Sequence, residues 1–145
     1  MRFGKSRSFG KAPNMTSSMS KRTWKLYLAD MLASIEKALS YVAGLRYEDF
    51  LGDSKTQDAV VRNLEVLSEA AHRIPAEVQK KHPQIPWSQI ISIRNRLIHG
   101  YFAVDPEIVW TIVTNELPEL RKHLEAVQQE EVSVAGNGGG RNEKP

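Results

Sequence analysis

Apolar residues recur every three or four positions through most of the chain, and no other feature of the sequence restricts the possible folds more strongly. The period is clear in residues 24–42, 60–74 and 108–127. It places the apolar side chains of each segment along one face of an α-helix, and no segment shows the alternation that is typical of a β-strand. The sequence therefore predicts an all-α fold, an up-and-down bundle of four main helices with one short additional helix.

Capping and helix-breaking residues set the predicted helix ends. Asp53 or Ser54 can cap the second main helix, and Asp105 followed by Pro106 is a start signal for the fourth. Pro118 lies inside that fourth helix and is expected to kink or break it. The predicted helices run from Thr23 to about Ala43, from Ser54 to about Arg73, from Ala76 to Lys81, from Pro86 to about His99, and from Asp105 through Val127.

The charge of the chain is divided unevenly between its first residues and the rest. The net charge is +3, yet residues 1–22 hold six of the 20 basic residues and none of the 17 acidic ones. The remaining residues therefore carry a net charge of −3, which excludes a uniformly basic body that binds RNA by counterion release. Any contact with nucleic acid must be local.

Length and composition predict one folded domain with two tails. Residues 22–130 are expected to form the bundle, residues 1–21 a disordered basic extension, and residues 131–145 a disordered Gly-rich tail. The basic extension could instead bind RNA, could be a transit peptide, or could lie upstream of the residue at which translation of the protein begins. The chain has no cysteine, which fits a reducing compartment. No apolar run reaches the ~20 residues of a membrane span, so we expect a cytoplasmic protein that does not cross a membrane.

Residues 93–102 are the best candidate for a chemical site. They bring together Arg94, Asn95, Arg96, His99 and Tyr101 within a few positions. An imidazole can move a proton near neutral pH, and a guanidinium can hold a phosphate with two parallel hydrogen bonds. RNA supplies its own nucleophile, the 2′-hydroxyl beside the phosphate. These groups suffice for a transesterification without a metal or other cofactor, and no acidic cluster with metal-ligand spacing accompanies them.

The spacing of Arg94 and His99 does not bring the two side chains together in one straight helix. Five residues at the helical rotation leave them about 140° apart around the axis. Two arrangements remain open. The helix could end at His99 and free the imidazole, or two copies of the segment could meet across a two-fold axis in a homodimer with a composite site.

Six segments of the sequence follow one another in an order that is more specific than the spacing of Arg94 and His99 alone. They are Tyr27 to Leu32, Leu67 to Ala71, Ile85-Pro86-Trp87, Arg94 to Phe102, Val104 to Trp110, and Leu117 to Leu120. Together they resemble the HepT-like branch of the HEPN superfamily. The resemblance covers roughly residues 22–125, and it departs from the usual family pattern at Ser68 (often Gly) and Ile93 (often Met).

The resemblance implies both an activity and a partner. Proteins of this kind are helical dimers that cleave RNA without metal, act as toxins of bacterial toxin–antitoxin pairs, and have a minimal nucleotidyltransferase as the cognate antitoxin. The family motif maps its arginine and histidine onto Arg94 and His99. It maps onto Tyr101 the tyrosine to which the antitoxin attaches AMP, which silences the toxin.

The sequence thus predicts a HEPN-like endoribonuclease toxin. His99 is the acid–base group, Arg94 stabilises the phosphorane-like state, and Asn95 and Arg96 support the site by orienting or binding phosphate. The alternative is a non-catalytic helical subunit that serves the nucleotidyltransferase as a substrate or binding module, for which the same bundle and the same Tyr101 would be suitable.

Overall fold

The chain folds into packed helices, and the computed structural model describes the backbone of residues 13–99 and 103–143 and the side chains of residues 23–98 and 103–133. The predicted all-α fold is confirmed. The elements are α1 (Pro13–Val42), α2 (Tyr47–Leu51), α3 (Ser54–His72), α4 (Ala76–Lys81), α5 (Trp87–Ile91), α6 (Ile93–Leu97), β1 (Ile98–His99), β2 (Ala103–Val104), α7 (Pro106–Thr111), a π-helical turn (Ile112–Glu116) and α8 (Leu117–Glu143).

The core lies between the three longest helices. α1 packs along α3 and also against α8, while α3 contacts α5, α6 and α7 on its other side. The apolar stripes that the sequence predicts are the buried surfaces of these helices, and their removal from water is the main force that holds the bundle together. The largest fully buried side chains include Phe50, Leu28, Met31, Ile35, Leu64, Leu67, Ile93, Leu97, Ile112 and Leu124.

Three of the predicted helix ends are confirmed by the local geometry. The carboxylate of Asp53 accepts hydrogen bonds from the backbone N–H of Thr56 at 3.0 Å and from its hydroxyl at 2.7 Å. The carboxylate of Asp105 accepts from the N–H of Glu107 at 3.0 Å. Gly44 follows the end of α1 with a φ of +81°, a conformation in which glycine is not strained.

The predicted third helix, Pro86 to His99, is wrong in its length and continuity. It is divided at Ser92 into α5 and α6, and the helix ends at Leu97. The buried hydroxyl of Ser68 donates to the carbonyl of Ile91 at 2.7 Å, while the N–H of Asn95 donates to Ser92 at 2.9 Å rather than to Ile91. At the break, the carbonyl of Ile91 thus accepts from the Ser68 side chain and not from the N–H of Asn95.

The chain forms a strand pair where the sequence predicts only helix and turn. In the antiparallel pair β1–β2, Ile98 lies opposite Val104 and His99 opposite Ala103. The N–H of Asp105 also donates to the carbonyl of Leu97 at 3.1 Å, which extends the pairing to the end of α6. Because each strand has only two residues, it is too short to produce a recognisable alternation.

The outer helices are longer than the sequence predicts. α1 begins at Pro13 rather than at Thr23, and α8 continues to Glu143. Both helices enter segments that were expected to be disordered. Proline suits a first helical turn, and no proline interrupts residues 14–42 or 119–143. Within the described residues, no helix is both long and apolar enough to cross a membrane.

The expected disturbance at Pro118 takes the form of a π-helical turn. The turn Ile112–Glu116 ends directly before Leu117, and α8 continues the same helix. Proline lacks an N–H and its ring clashes with the preceding turn of a regular helix. The wider π-turn adapts the backbone just before this position.

Candidate active site

Helix α6 presents two of the predicted site residues to solvent. Its buried side chains, Ile93 and Leu97, are one turn apart, and each is only 2% exposed. They fix the rotation of the helix against the core, so that Arg94 and Asn95 project outward. Within the described residues Arg94 forms no salt bridge, and its guanidinium is available to a ligand.

His99 belongs to the strand that follows this helix. His99 is the second residue after Leu97, the last residue of α6, and its backbone pairs with that of Ala103. The estimate of about 140° between Arg94 and His99 assumed a straight helix, and it does not apply to this backbone. The side chain of His99 and all of Tyr101 lie outside the part of the chain that the structure describes, so their predicted roles stay predictions.

Arg96 is engaged with an acidic residue. Its Nη1 donates to Oε1 of Glu116 at 3.1 Å and its Nη2 to Oε2 at 2.5 Å. The two side chains are 30% and 36% exposed. A phosphate would have to compete with the Glu116 carboxylate for the same donors, whereas Arg94 meets no such competition within the described residues.

Arg94 also lines a pocket of ≈ 500 Å³ between α1 and α3. Two further arginines, Arg62 and Arg73, line the same pocket. Nε of Arg73 donates to Oε2 of Glu69 at 3.0 Å. This bond, followed by one to the hydroxyl of Tyr27, raises the pKa of Arg73 above its ordinary value, so the group remains cationic. Among the described residues, Arg62 forms no salt bridge.

The sequence reasoning missed the residues that surround the predicted motif. Arg62, Arg73 and Tyr27 lie on helices that were interpreted only through their apolar faces, and Glu116 and Ser68 are more than 15 positions from the residues they bind. A helical plot of the polar positions could have found Arg62, Arg73 and Tyr27. No local sequence signal indicates the contacts of Glu116 and Ser68.

The described residues contain no group of three or more His, Asp or Glu side chains that could hold a metal ion. The cations described around Arg94 are all arginine side chains, which bind phosphate through fixed forks of N–H donors. Asp30, Glu65 and Glu69 line the same pocket, so positive and negative side chains balance there. Arg62 and Arg94, which form no salt bridge among the described residues, are the cations that an anionic group of a ligand could bind.

Comparison with known proteins decides the family of the chain. The model of the family described as "Ribonuclease HepT-like" matches residues 31–127. That range contains α3, α6, the strand pair and most of the helical core. The chain belongs to the HepT-like ribonuclease family. The resemblance seen in the sequence is thereby confirmed, including the all-α architecture of the HEPN superfamily.

Curated relatives of this HepT-like chain match it over nearly their whole length. "Probable ribonuclease HepT" of Thermococcus cleftensis is 39% identical over 109 residues, which are 75% of the chain and 99% of the relative. A protein of Caldanaerobacter subterraneus that is named as a candidate RNase is 37% identical over 110 residues, 76% of the chain and 98% of the relative. No solved structure matches the chain.

Proposed function

We propose that this HepT-like protein is a metal-independent endoribonuclease, the toxin of a type II toxin–antitoxin pair acting in the cytoplasm. Ribonuclease activity is the function of the family to which the chain belongs. The observation that supports the mechanism best is Arg94, an exposed guanidinium without a salt bridge among the described residues, on a helix that two buried residues hold in place. Such a cation can bind phosphate oxygens bidentately.

The proposed reaction needs only the groups of the RNA, one base and one cation. His99 accepts the proton of the ribose 2′-hydroxyl, and the 2′-oxygen forms a bond with the adjacent phosphorus while the bond to the 5′-oxygen breaks. The leaving 5′-oxygen takes up the proton that the His99 imidazole accepted, and the products are a 2′,3′-cyclic phosphate and a 5′-hydroxyl. Arg94 stabilises the charge that grows on the non-bridging oxygens.

The proposal includes a homodimer in which both copies contribute Arg94 and His99 to one cleft. The strand pair beside His99 carries two apolar side chains in register, Ile98 and Val104, that are 50% and 38% exposed. Adjacent apolar side chains on a surface lose contact with water when a partner covers them, which favours association. A second copy of the chain that covers them would place its own Arg94–His99 segment next to the first.

Tyr101 is the proposed site of inactivation by the cognate minimal nucleotidyltransferase. It lies two positions after His99 in the sequence. Transfer of AMP from ATP to its hydroxyl would release pyrophosphate and place a phosphodiester and a nucleoside beside the catalytic histidine. The added charge would repel the RNA backbone, and the bulk would occupy its site.

The experiment is cleavage of labelled RNA by purified protein in EDTA, with the variant His99→Ala. The wild type should cleave and leave cyclic phosphate ends, while His99→Ala should be inactive in vitro, should not arrest growth, and should keep the wild-type circular dichroism spectrum. His72→Ala is the matched control, because His72 is an exposed histidine of α3. Loss of wild-type activity in EDTA would contradict the metal-free mechanism. RNA left intact by a protein that still binds the nucleotidyltransferase would favour the non-catalytic alternative.

A further inference from the structure

The pocket beside Arg94 is one end of a longer groove between α1 and α3. A second depression of ≈ 440 Å³ shares Asp30, Arg62 and Val66 with it and continues along the same two helices to Lys37 and Tyr41. Because the two depressions have these three lining residues in common, they form one continuous surface. We call it the α1–α3 groove.

The α1 side of the groove is a polar stripe with helical spacing. Tyr27, Asp30, Ser34, Lys37 and Tyr41 follow one another at intervals of three and four residues, which places them on one side of the helix. Tyr27 and Tyr41 are separated by about 21 Å along the axis, at ~1.5 Å per residue. The stripe is therefore long enough to contact several units of an extended polymer.

The α1–α3 groove combines cations with aromatic rings. Lys37, Arg62, Arg73 and Arg94 line it, and Tyr41 is 40% exposed at the far end. Lys37 and Arg62 are exposed, and among the described residues neither forms a salt bridge. Cations that follow a backbone, together with tyrosines on which bases can stack, are the combination that proteins use to bind single-stranded nucleic acid.

The groove also contains acidic side chains, and these limit its ligand. Asp30, Glu65 and Glu69 line it as well, so that its net charge is only slightly positive. A duplex presents mainly phosphates, and a groove with this mixture of charges attracts them only weakly. The exposed bases of a single strand have amino groups that can donate hydrogen bonds to the carboxylates.

We propose that the α1–α3 groove is a binding track for single-stranded RNA that leads the strand to Arg94. The inference rests on the proposed ribonuclease function, because the strand is the substrate of that site. Nucleotides next to the scissile phosphate lie alongside Tyr27 and Arg73, and more distant ones reach Lys37 and Tyr41.

The test measures binding and cleavage separately with the full chain. The variant Lys37→Gln/Arg62→Gln is compared with Arg46→Gln/Lys122→Gln, which removes the same two charge types from exposed positions outside the groove. Binding is measured by the anisotropy of a labelled single strand of about 12 nucleotides. We expect the groove variant to bind about tenfold more weakly, while the control variant binds as the wild type does. The slope of log affinity against log salt concentration should become shallower by about 0.7 for each phosphate contact that the groove variant has lost.

Cleavage then distinguishes a failure of this inference from a failure of the ribonuclease proposal. The ratio of kcat/KM for the long strand to that for a dinucleotide should fall in the groove variant. If the wild type cleaves nothing but the binding difference remains, the ribonuclease proposal fails and the track stands. Equal binding by both double variants overturns the track. A change from dimer to monomer in the groove variant, measured by sedimentation, also overturns it, since the groove would then be an interface between copies.

Discussion

Arg96 and Glu116 form a two-pronged salt bridge, with Nη1 3.1 Å from Oε1 and Nη2 2.5 Å from Oε2. The two residues are 20 positions apart and join α6 to the last residue of the π-helical turn. Arg96 lies between Arg94 and His99 in the sequence. The bridge therefore ties the proposed catalytic segment to the π-helical turn that precedes α8 and limits how far that segment can rotate.

We predict that Glu116→Gln lowers kcat more than it changes KM. The substitution removes the charge that holds the Arg96 guanidinium, so the segment carrying Arg94 and His99 is held less firmly. Because both side chains are about one-third exposed, the pair is expected to contribute only about 1 kcal/mol to stability. Steady-state cleavage of a labelled RNA and urea denaturation provide the two measurements.

Comparison with Arg96→Gln separates positioning from phosphate binding. If Arg96 positions the segment, the two single variants and the double variant should show the same loss of kcat, since they break one interaction. If Arg96 binds phosphate instead, Arg96→Gln should raise KM and reduce the dependence of KM on salt concentration. Glu116→Gln should do neither.

The hydroxyl of Ser68 offers a second prediction, on stability. It is 2% exposed and donates to the carbonyl of Ile91 at 2.7 Å, at the break between α5 and α6. Ser68→Ala leaves that carbonyl without this partner and should reduce the free energy of unfolding by about 1–3 kcal/mol. Chemical denaturation measures the change.

Ser40→Ala is the matched control for this prediction. The Ser40 hydroxyl also donates to a backbone carbonyl, that of Lys37 at 2.8 Å, but it is exposed. Water can replace it, so the free energy of unfolding should change by less than about 0.5 kcal/mol. Equal effects of the two substitutions would show that the hydrogen bond at the helix break contributes no more to the free energy of unfolding than an exposed one does.

The features that the sequence predicts correctly are those that a few adjacent residues determine. Asp53 and Asp105 cap their helices because each carboxylate reaches an N–H two or three positions later. The apolar stripes are equally local, because helical rotation alone brings residues three and four apart onto one face. Helix type and most helix starts could therefore be predicted without knowledge of the rest of the chain.

The features that the sequence does not reveal depend on contacts between distant segments. At the break near Ser92 the carbonyl of Ile91 binds a hydroxyl 23 positions away, and the Arg96–Glu116 bridge spans 20 positions. The motif at Arg94 was visible as a set of residues. Its setting at the end of a groove was not, because only the packing of α1 against α3 brings Tyr27, Arg62 and Arg94 to one surface.

Asp53 gives a prediction about pH. The hydroxyl of Thr56, and then its backbone N–H, hold the pKa of the Asp53 carboxyl below its ordinary value. A carboxyl whose pKa is lower in the folded state stabilises that state above its unfolded pKa of about 3.9, and the stabilisation is lost as the pH falls through the folded value. Asp53→Ala should thus lower the Tm at pH 7, and the difference from the wild type should shrink on acidification below pH ~4.

Asp53→Asn controls for the cap itself. Its amide oxygen can still accept from the Thr56 N–H, since asparagine is a good helix cap, but it does not titrate. This variant should keep most of the Tm at pH 7, and the wild type should approach it in acid. If the difference between the wild type and Asp53→Ala is the same at every pH, the charge of Asp53 has no part in the stabilisation.

Arg94→Lys tests whether the proposed site needs the fork of the guanidinium or only a positive charge. Lysine keeps the charge, but it cannot donate two parallel hydrogen bonds to phosphate oxygens. If Arg94 stabilises the transition state bidentately, kcat/KM should fall by roughly 10²-fold, the scale seen when one donor to a developing oxyanion is lost, and Arg94→Ala should fall further. The Tm should not change, because Arg94 is exposed and forms no salt bridge within the described residues.

Arg121→Lys is the matched control. Arg121 forms a surface salt bridge to Glu36, and this variant should cleave RNA as the wild type does. Near-normal cleavage by Arg94→Lys would show that Arg94 contributes only its positive charge. Another group would then have to stabilise the phosphorane-like state.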